Sequence, residues 1–391
     1  MIASGYTGSK IPRVKQLSST MTLADGLENR KDNFLLLRFI AASMVIYGHG
    51  GAIANTKGAS PDLFLRLGWG IYSGTLAVCI FFVVSGFMIA GSYLRRQHLA
   101  DFLWARLLRI YPAYFCCLVI CAVVLGAVYT ALPLNQYFEN TGVLHYVTQN
   151  VKLQTTMVWT LPEVFDGNPH DSVINGAIWT LPAEFRMYLW VAIVGALGIL
   201  SRRWLCALII AVLFGLGILR PDADIFMIPS IYLHLAAMFG IGTLCYLFRD
   251  HVPVGWPYVA AAVILAYLLR NTVFYQFALG LAIAQFSFAF AYCLPWYGFN
   301  RFGDYSYGIY LWGYPMQQAL AHHFPLMGPK HNACFAFMLA LAMALLSWHF
   351  IEKPSLMLKS LPGKLFRYFK SVSGWSDSEK SSRVVSKLGP N

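Results

Sequence analysis

Two ionisable side chains, Arg38 and His49, lie in a mostly apolar run of about 20 residues, the length of a membrane span. They are about three helical turns apart, so they share one face of a helix and are separated by roughly 16 Å along its axis. Ionisable groups inside spans are costly and mark functional sites. An imidazole suits acid–base or nucleophilic chemistry. The alternative is that Arg38 extends to the inner surface and His49 is an interfacial polar residue.

A carboxylate occurs in a second apolar stretch, where Glu184 and Tyr188 are four residues apart and share a helix face. If this helix runs from outside to inside, Glu184 lies at a depth similar to that of His49. A carboxylate near an imidazole raises its basicity and fixes its tautomer. The alternative is a buried structural ion pair between Glu184 and Arg186.

Arg106 and Arg109 begin a third apolar stretch and are one helical turn apart. Guanidinium groups bind phosphate in a bidentate manner, although arginines at this position also arise simply as cytoplasmic topology signals. The polar residues thus form two predicted layers: an inner cationic layer of Arg38, Arg106, Arg109 and Arg301, and an outer acid–base layer of His49 and Glu184. This order fits a polyanionic donor that enters from the inside.

The composition indicates what must position these residues. Of 391 residues, 58% are hydrophobic and only 12% are charged, and no soluble domain can bury that much apolar surface. We predict an all-α, polytopic integral membrane protein with about ten transmembrane helices. The predicted spans are 34–54, 68–94, 107–130, 176–200, 203–219, 227–248, 254–270, 272–295, 302–324 and 331–352.

The positive charge predicts the topology. Most of the 29 Lys and Arg residues fall at the N-terminus, in alternate loops and in the C-terminal tail, so both termini are predicted to be cytoplasmic. This explains the net charge of +12 without nucleic acid. The segment 1–33 precedes the membrane domain 34–354. The basic, Ser-rich tail 355–391 is predicted to be disordered or to lie on the anionic inner leaflet.

The largest loop, about 131–175, is predicted to face outward and shows no obvious secondary structure, which is typical of a functional loop. Its aromatic residues Tyr137, Tyr146 and Trp159 are candidates for stacking on an acceptor. The eight cysteines form no CxxC or Cys/His metal pattern, so we expect small core residues, no metal and no bound cofactor. No cleavable signal peptide is visible.

Six motifs in order resemble acyltransferase family 3, the integral membrane acyltransferases. They are Arg38 with His49 after ten residues, Phe81-Phe82-Val83-Val84-Ser85-Gly86-Phe87, Arg106-x-x-Arg109-Ile110-x-Pro112, Trp179-Thr180-Leu181-x-x-Glu184-x-x-x-Tyr188, Tyr305-Ser306-Tyr307-x-x-Tyr310-Leu311-Trp312, and Ile351-Glu352-Lys353-Pro354. Each motif is weak alone, but together they span residues 34 to 354. The family often has histidine where this chain has Gly313, so a role for that histidine does not carry over.

The resemblance implies transfer of an acyl group, usually acetyl, from cytoplasmic acyl-CoA to a hydroxyl of a glycan or exported acceptor. It implies a bacterial inner-membrane location. By position, His49, Glu184 and Arg38 are the catalytic candidates, and Arg38, Arg106 and Arg109 are the acyl-CoA-binding candidates. The predicted pocket residues are Ser85, Trp179, Tyr188, Ser306 and Tyr310.

Two other functions are compatible with the same residues. A transporter or flippase of a small or lipid-linked metabolite would also have an Arg- and His-lined cavity, but it would move substrate without acyl-CoA. A non-catalytic membrane scaffold would tolerate substitution of Arg38 and His49.

Overall fold

The computed structural model describes residues 20–54, 62–96, 98–169, 171–225 and 228–361. Most of the predicted N-terminal segment and the tail beyond residue 361 lie outside these ranges. Within them the chain is helical or in loops, apart from three isolated β-bridges. The predicted all-α fold class is therefore confirmed for the part of the chain that the structure describes.

Sixteen α-helices follow one another along the described chain. They are α1 (Leu23–Glu28), α2 (Phe34–Ile53), α3 (Leu63–Arg66), α4 (Ser73–Arg96), α5 (Leu99–Ile120), α6 (Gly126–Tyr129), α7 (Leu134–Glu139), α8 (Thr141–Asn150), α9 (Leu181–Ala196), α10 (Arg203–Leu219), α11 (Leu233–Leu247), α12 (Trp256–Leu268), α13 (Tyr275–Cys293), α14 (Ser306–His323), α15 (Pro329–Ser347) and α16 (Lys353–Met357). Two wide π-helical turns, Cys121–Leu125 and Trp348–Glu352, extend α5 and α15.

Six helical segments are long and apolar enough to cross a membrane, which favours a polytopic membrane protein. They are Phe34–Ile53, Ser73–Arg95, Leu99–Tyr129, Ser230–Leu247, Tyr275–Cys293 and Pro329–Ser360. The helices α10 and α12 are apolar but shorter. The helices α9 and α14 fill the other two predicted spans. Large apolar side chains on the outer surface, such as Leu208 and Leu268, are exposed, as lipid-facing residues are.

Small residues allow the central helices to pack closely. Where α4 crosses α11, a Cβ atom at Gly242 would overlap the carbonyl oxygen of Val83, and one at Gly86 would overlap that of Phe239. The Thr243 hydroxyl also donates to the Gly86 carbonyl at 3.4 Å. Such backbone contact through small residues is the usual way in which membrane helices associate. The helix α14 packs against both α2 and α15.

The loop 131–175, predicted to face outward, differs from its prediction as an irregular segment, because it contains the helices α7 and α8. Tyr137 and Tyr146 are buried rather than available for stacking on an acceptor. The Tyr137 hydroxyl donates to the Ala122 carbonyl at 2.6 Å, and burial raises the pKa of this hydroxyl to about 12. The Tyr137 hydrogen bond therefore anchors the loop to the wide turn that follows α5, and Trp159 is half-buried.

The helical part of the chain also continues past the predicted domain boundary at residue 354. The helix α16 and a following 3₁₀ turn, Leu358–Ser360, occupy the first residues of the segment predicted to be a disordered tail. The last described residues are thus part of the folded domain.

We expect Gly242→Ala to destabilise the protein by roughly 1–3 kcal/mol, because the new methyl group meets backbone atoms that cannot rotate away. Thermal unfolding of the detergent-solubilised protein measures the effect. Gly215→Ala on α10 is the matched control, since a Cβ at Gly215 meets nothing within 4 Å. Equal melting temperatures for the two variants would contradict close packing of α4 on α11.

Candidate active site

The cavity that contains most of the predicted site residues has a volume of about 250 Å³ and lies among α2, α4, α5, α9, α14 and the C-terminal turns. The side chains that line it carry both charges and aromatic groups. The polar or aromatic lining residues are Arg38, Phe81, Phe82, Ser85, Arg106, Arg109, Thr180, Glu184, Tyr188, Ser306, Tyr307, Tyr310 and Lys359. The arginines of α2 and α5, which are distant in sequence, therefore meet at one cavity.

A single carboxylate holds two of these arginines together. Asp304 Oδ2 accepts from Arg38 Nη1 at 2.6 Å and from Arg109 Nη2 at 2.5 Å. The Ser306 hydroxyl donates to the other oxygen, Oδ1, at 2.5 Å. The Asp304 side chain is only 11% exposed. A buried carboxylate needs such partners, so this group fixes the relative positions of α2, α5 and α14.

The local chain conformation delivers Asp304 to this point. Gly303 has a φ of 95°, a left-handed conformation that glycine adopts without strain, and a Cβ atom there would lie 2.6 Å from Nε1 of Trp348. Asp304 follows directly and precedes the first turn of α14, where the helix dipole favours a negative charge.

A second acid, Glu352, reaches Arg109 from the wide turn after α15. Glu352 Oε2 lies 3.5 Å from Arg109 Nη1, and the Ser347 hydroxyl donates to Oε1 at 2.9 Å. Ser347 and Glu352 are five residues apart, and a π-helical turn brings residues at this spacing to the same side. The wide turn therefore aims the buried carboxylate at α5.

Tyr188 connects Arg106 to Glu184. The Arg106 guanidinium carbon lies 5.8 Å from the centre of the Tyr188 ring, and the Tyr188 hydroxyl donates to Glu184 Oε1. Arg186 instead donates to the carbonyl of Pro182 at 3.2 Å and lies over the ring of Tyr232. An ion pair between Glu184 and Arg186 is thus absent from the described residues, which removes that alternative.

His49 lies near the C-terminal end of α2, next to Tyr314 of α14. The two ring centres are 5.1 Å apart and the rings meet edge to face at 75°. Glu184 lines the same cavity as Arg38, Arg106 and Arg109, whereas His49 does not line it. The structure thus groups Glu184 with the arginines rather than with His49.

Four of the five predicted pocket residues line the cavity: Ser85, Tyr188, Ser306 and Tyr310. Trp179 instead stacks on Tyr232, with ring centres 6.2 Å apart. Arg301, predicted for the cationic layer, is exposed and lies over the ring of Phe302. Among the lining residues, the Tyr310 hydroxyl donates to the Ala177 carbonyl and is also hydrogen-bonded to Thr180, each at 2.5 Å.

Sequence reasoning missed Asp304, Glu352 and Lys359 as site residues. A signal was available: Asp304 and Glu352 are acids at the predicted cytoplasmic ends of apolar runs, and arginines within such runs need acidic counterions. As to metals, the described residues contain no group of three or more His, Cys, Asp or Glu side chains arranged to hold an ion.

Comparison with known proteins identifies the class. A family model described as an acyltransferase domain matches residues 32–352, so the protein is an acyltransferase. The chain belongs to acyltransferase family 3. It is 25% identical to an O-acetyl transferase of Shigella phage Sf6, over 83% of this chain and 96% of that protein. It is 26% identical to nodulation protein 10 of Rhizobium leguminosarum bv. viciae, over 84% and 94%. No solved structure matches.

We expect Asp304→Asn to lower the free energy of unfolding by about 3 kcal/mol or more, because it leaves two partly buried guanidinium groups without their shared carboxylate. Thermal and chemical unfolding in detergent measure this. Asp250→Asn, at an exposed position after α11, is the control and should change stability little. A melting temperature equal to that of the control would show that Asp304 does not hold the helices together.

Proposed function

We propose that this membrane O-acyltransferase takes an acyl group, acetyl by preference, from cytoplasmic acyl-CoA and transfers it to a hydroxyl of a glycan or another exported acceptor. The observation that carries the proposal is the convergence of Arg38, Arg106 and Arg109 on one cavity. His49 does not line this cavity but lies beside Tyr314, one helical turn beyond the lining residue Tyr310. The relative named O-acetyl transferase supports acetyl as the group.

The arginine end of the cavity suits the phosphates of CoA. Arg38 uses one nitrogen for Asp304, whereas Arg109 uses one terminal nitrogen for Asp304 and the other for Glu352. Each guanidinium carries five N–H donors, so both side chains keep further donors. Both side chains line the cavity, as does Lys359. Guanidinium groups bind phosphate oxygens through paired hydrogen bonds. We therefore place the nucleotide part of CoA at the arginine end of the cavity, and we propose no separate bound cofactor.

The helix α14 leads from this end to His49. Asp304, just before the N-terminus of α14, accepts from Arg38 of α2. In the C-terminal half of α14, Gln317 donates to the Ile46 carbonyl of α2 at 2.9 Å. The two helices therefore run in the same direction. Tyr310 lines the cavity and Tyr314 lies one turn further out, beside His49. In the proposal the pantetheine arm follows this face.

Two reaction routes fit an imidazole at this position. In the first, His49 accepts the proton of the acceptor hydroxyl as its oxygen attacks the thioester carbonyl, and CoA leaves as a thiolate that takes up a proton. In the second, the neutral imidazole attacks the thioester carbonyl and CoA leaves as a thiolate; the acyl group then passes to the hydroxyl oxygen, and the hydroxyl proton goes to the thiolate. Glu184, which lies in the arginine-lined cavity rather than beside His49, is assigned the role of holding Tyr188 against Arg106. Arg38 orients the donor.

The proposal includes the topology. All ten predicted spans cross the membrane, both termini face the cytoplasm and the protein resides in a bacterial inner membrane. The basic residues at the C-terminal end of α4 and in the N-terminal half of α5, together with Lys353 and Lys359, then lie on the cytoplasmic side, where positive charge accumulates. The acceptor approaches from the opposite side, over the loop that contains α7 and α8.

His49→Ala should abolish acceptor O-acylation in cells, because it removes the group that activates or carries the acyl moiety. Mass spectrometry of surface glycans and exported products, compared with a deletion strain, measures the loss of the acyl mass. His251→Ala, at an exposed loop position, is the matched control and should leave acylation intact. Acylation at the wild-type level in His49→Ala membranes with normal protein content would remove His49 from the mechanism.

Arg106→Gln should raise KM for acyl-CoA by roughly tenfold to a hundredfold, the effect of losing one charge-assisted hydrogen bond to phosphate. The same variant should use an acyl-pantetheine, which lacks the nucleotide, as well as the wild type does. Purified protein with both donors and a common acceptor measures this, with the exposed Arg202→Gln as control. An equal loss with both donors would place Arg106 outside the nucleotide site, and substrate movement without acyl-CoA would indicate a transporter.

A further inference from the structure

The side chain next to His49 is Tyr314, and its surroundings restrict its movement. Tyr314 is only 6% exposed, and its ring meets the His49 ring edge to face with centres 5.1 Å apart. On another side it lies against Gly176, where a Cβ atom would be 2.6 Å from Tyr314 Cε2 and 3.1 Å from its hydroxyl oxygen. Only glycine at position 176 leaves room for this ring.

A buried amide fixes the segment that contains Gly176. Pro315 lies inside α14 and has no N–H group, so the helix cannot use the carbonyl of Leu311 in the ordinary way. The Asn175 side chain donates to that carbonyl at 2.9 Å, and Asn175 is 1% exposed. Its Oδ1 also accepts from the Ala177 backbone N–H at 3.1 Å. The residue that supports the Tyr314 ring is therefore anchored to the helix that carries the ring.

The helix that carries His49 is fixed to α14 as well. The side chain of the fully buried Gln317 donates to the Ile46 carbonyl, one turn before His49. The backbone carbonyl of Gln317 accepts from the Asn332 side chain at 3.1 Å. A Cβ atom at Gly313 would lie 2.6 Å from Cγ1 of Ile46, so glycine allows the close approach of the two helices here. With both backbones held, the Tyr314 ring has a defined position relative to the imidazole.

We propose that Tyr314 is a positioning residue for His49, and that Gly176 holds the Tyr314 ring in place. The inference rests on the proposed function, in which His49 activates or carries the acyl group. The ring restricts the rotamers of the imidazole so that one nitrogen points to the reacting atoms. A misplacement of about 1 Å can lower the rate a hundredfold, which is the scale of effect expected if this support is lost.

The first test separates the ring from the hydroxyl. Tyr314→Phe keeps the edge-to-face contact and should retain kcat within about twofold, whereas Tyr314→Leu should lower kcat on the order of tenfold to a hundredfold. KM for acyl-CoA should stay unchanged in both variants, because the arginine end of the cavity is untouched. Equal losses in the two variants, or a normal kcat for Tyr314→Leu, would overturn the proposal.

The second test uses Gly176. Gly176→Ala should displace the ring and lower kcat in the wild-type background, but should cause little further loss in Tyr314→Leu, where the ring is absent. Gly195→Ala is the matched control, since a Cβ there would overlap the Tyr93 ring away from His49. It should leave kcat per folded molecule unchanged, with melting temperatures reporting folding. Independent, multiplicative effects of Gly176→Ala and Tyr314→Leu would overturn the link between them.

The outcome for His49→Ala distinguishes this proposal from the one on which it rests. If His49→Ala retains transfer, the proposed mechanism itself fails. If His49→Ala abolishes transfer while Tyr314→Leu is normal, only the positioning role fails.

Discussion

The structure depends on one buried carboxylate that two guanidinium groups share. Asp304, just before the N-terminus of α14, connects Arg38 of α2 to Arg109 of α5. In a low-dielectric interior none of these charges is stable alone, so the three helices can assemble only with the charges in contact. The same requirement that holds the helices together places the arginines at the cavity. The groups that hold the helices together are thus groups that line or adjoin the cavity.

The helix α14 differs from its neighbours because it carries polar side chains into the interior of the bundle. It is less apolar than the six apolar spans, yet 14 of its 18 residues are buried. Its buried amides, Gln317 and Gln318, donate to backbone carbonyls of α2 and of the outer segment near residue 173. A helix surrounded by protein rather than lipid can carry such groups, because neighbouring backbone carbonyls accept from their N–H donors.

Local sequence patterns predict where the helices lie, but they do not predict which charged groups of different helices meet. Apolar runs predicted where the helices lie, and the spacing of Arg106 and Arg109 predicted their common face. Asp304 and Glu352 were missed as site residues, because counterion identity depends on which helices are neighbours. The burial of Tyr137 was missed for the same reason. Glu184 was assigned by depth alone, whereas the rotation of α9 toward Arg106 decides which groups it meets.

The wide turn at Trp348–Glu352 makes the length of this segment critical. An ordinary α-helix advances about 100° per residue, so deletion of one residue here would turn every later side chain by that angle around the axis. Glu352 would leave Arg109, and Leu356 and Lys359 would leave the cavity wall together. The chain therefore tolerates exchange of side chains on the outer surface of this segment far better than a change in its number of residues.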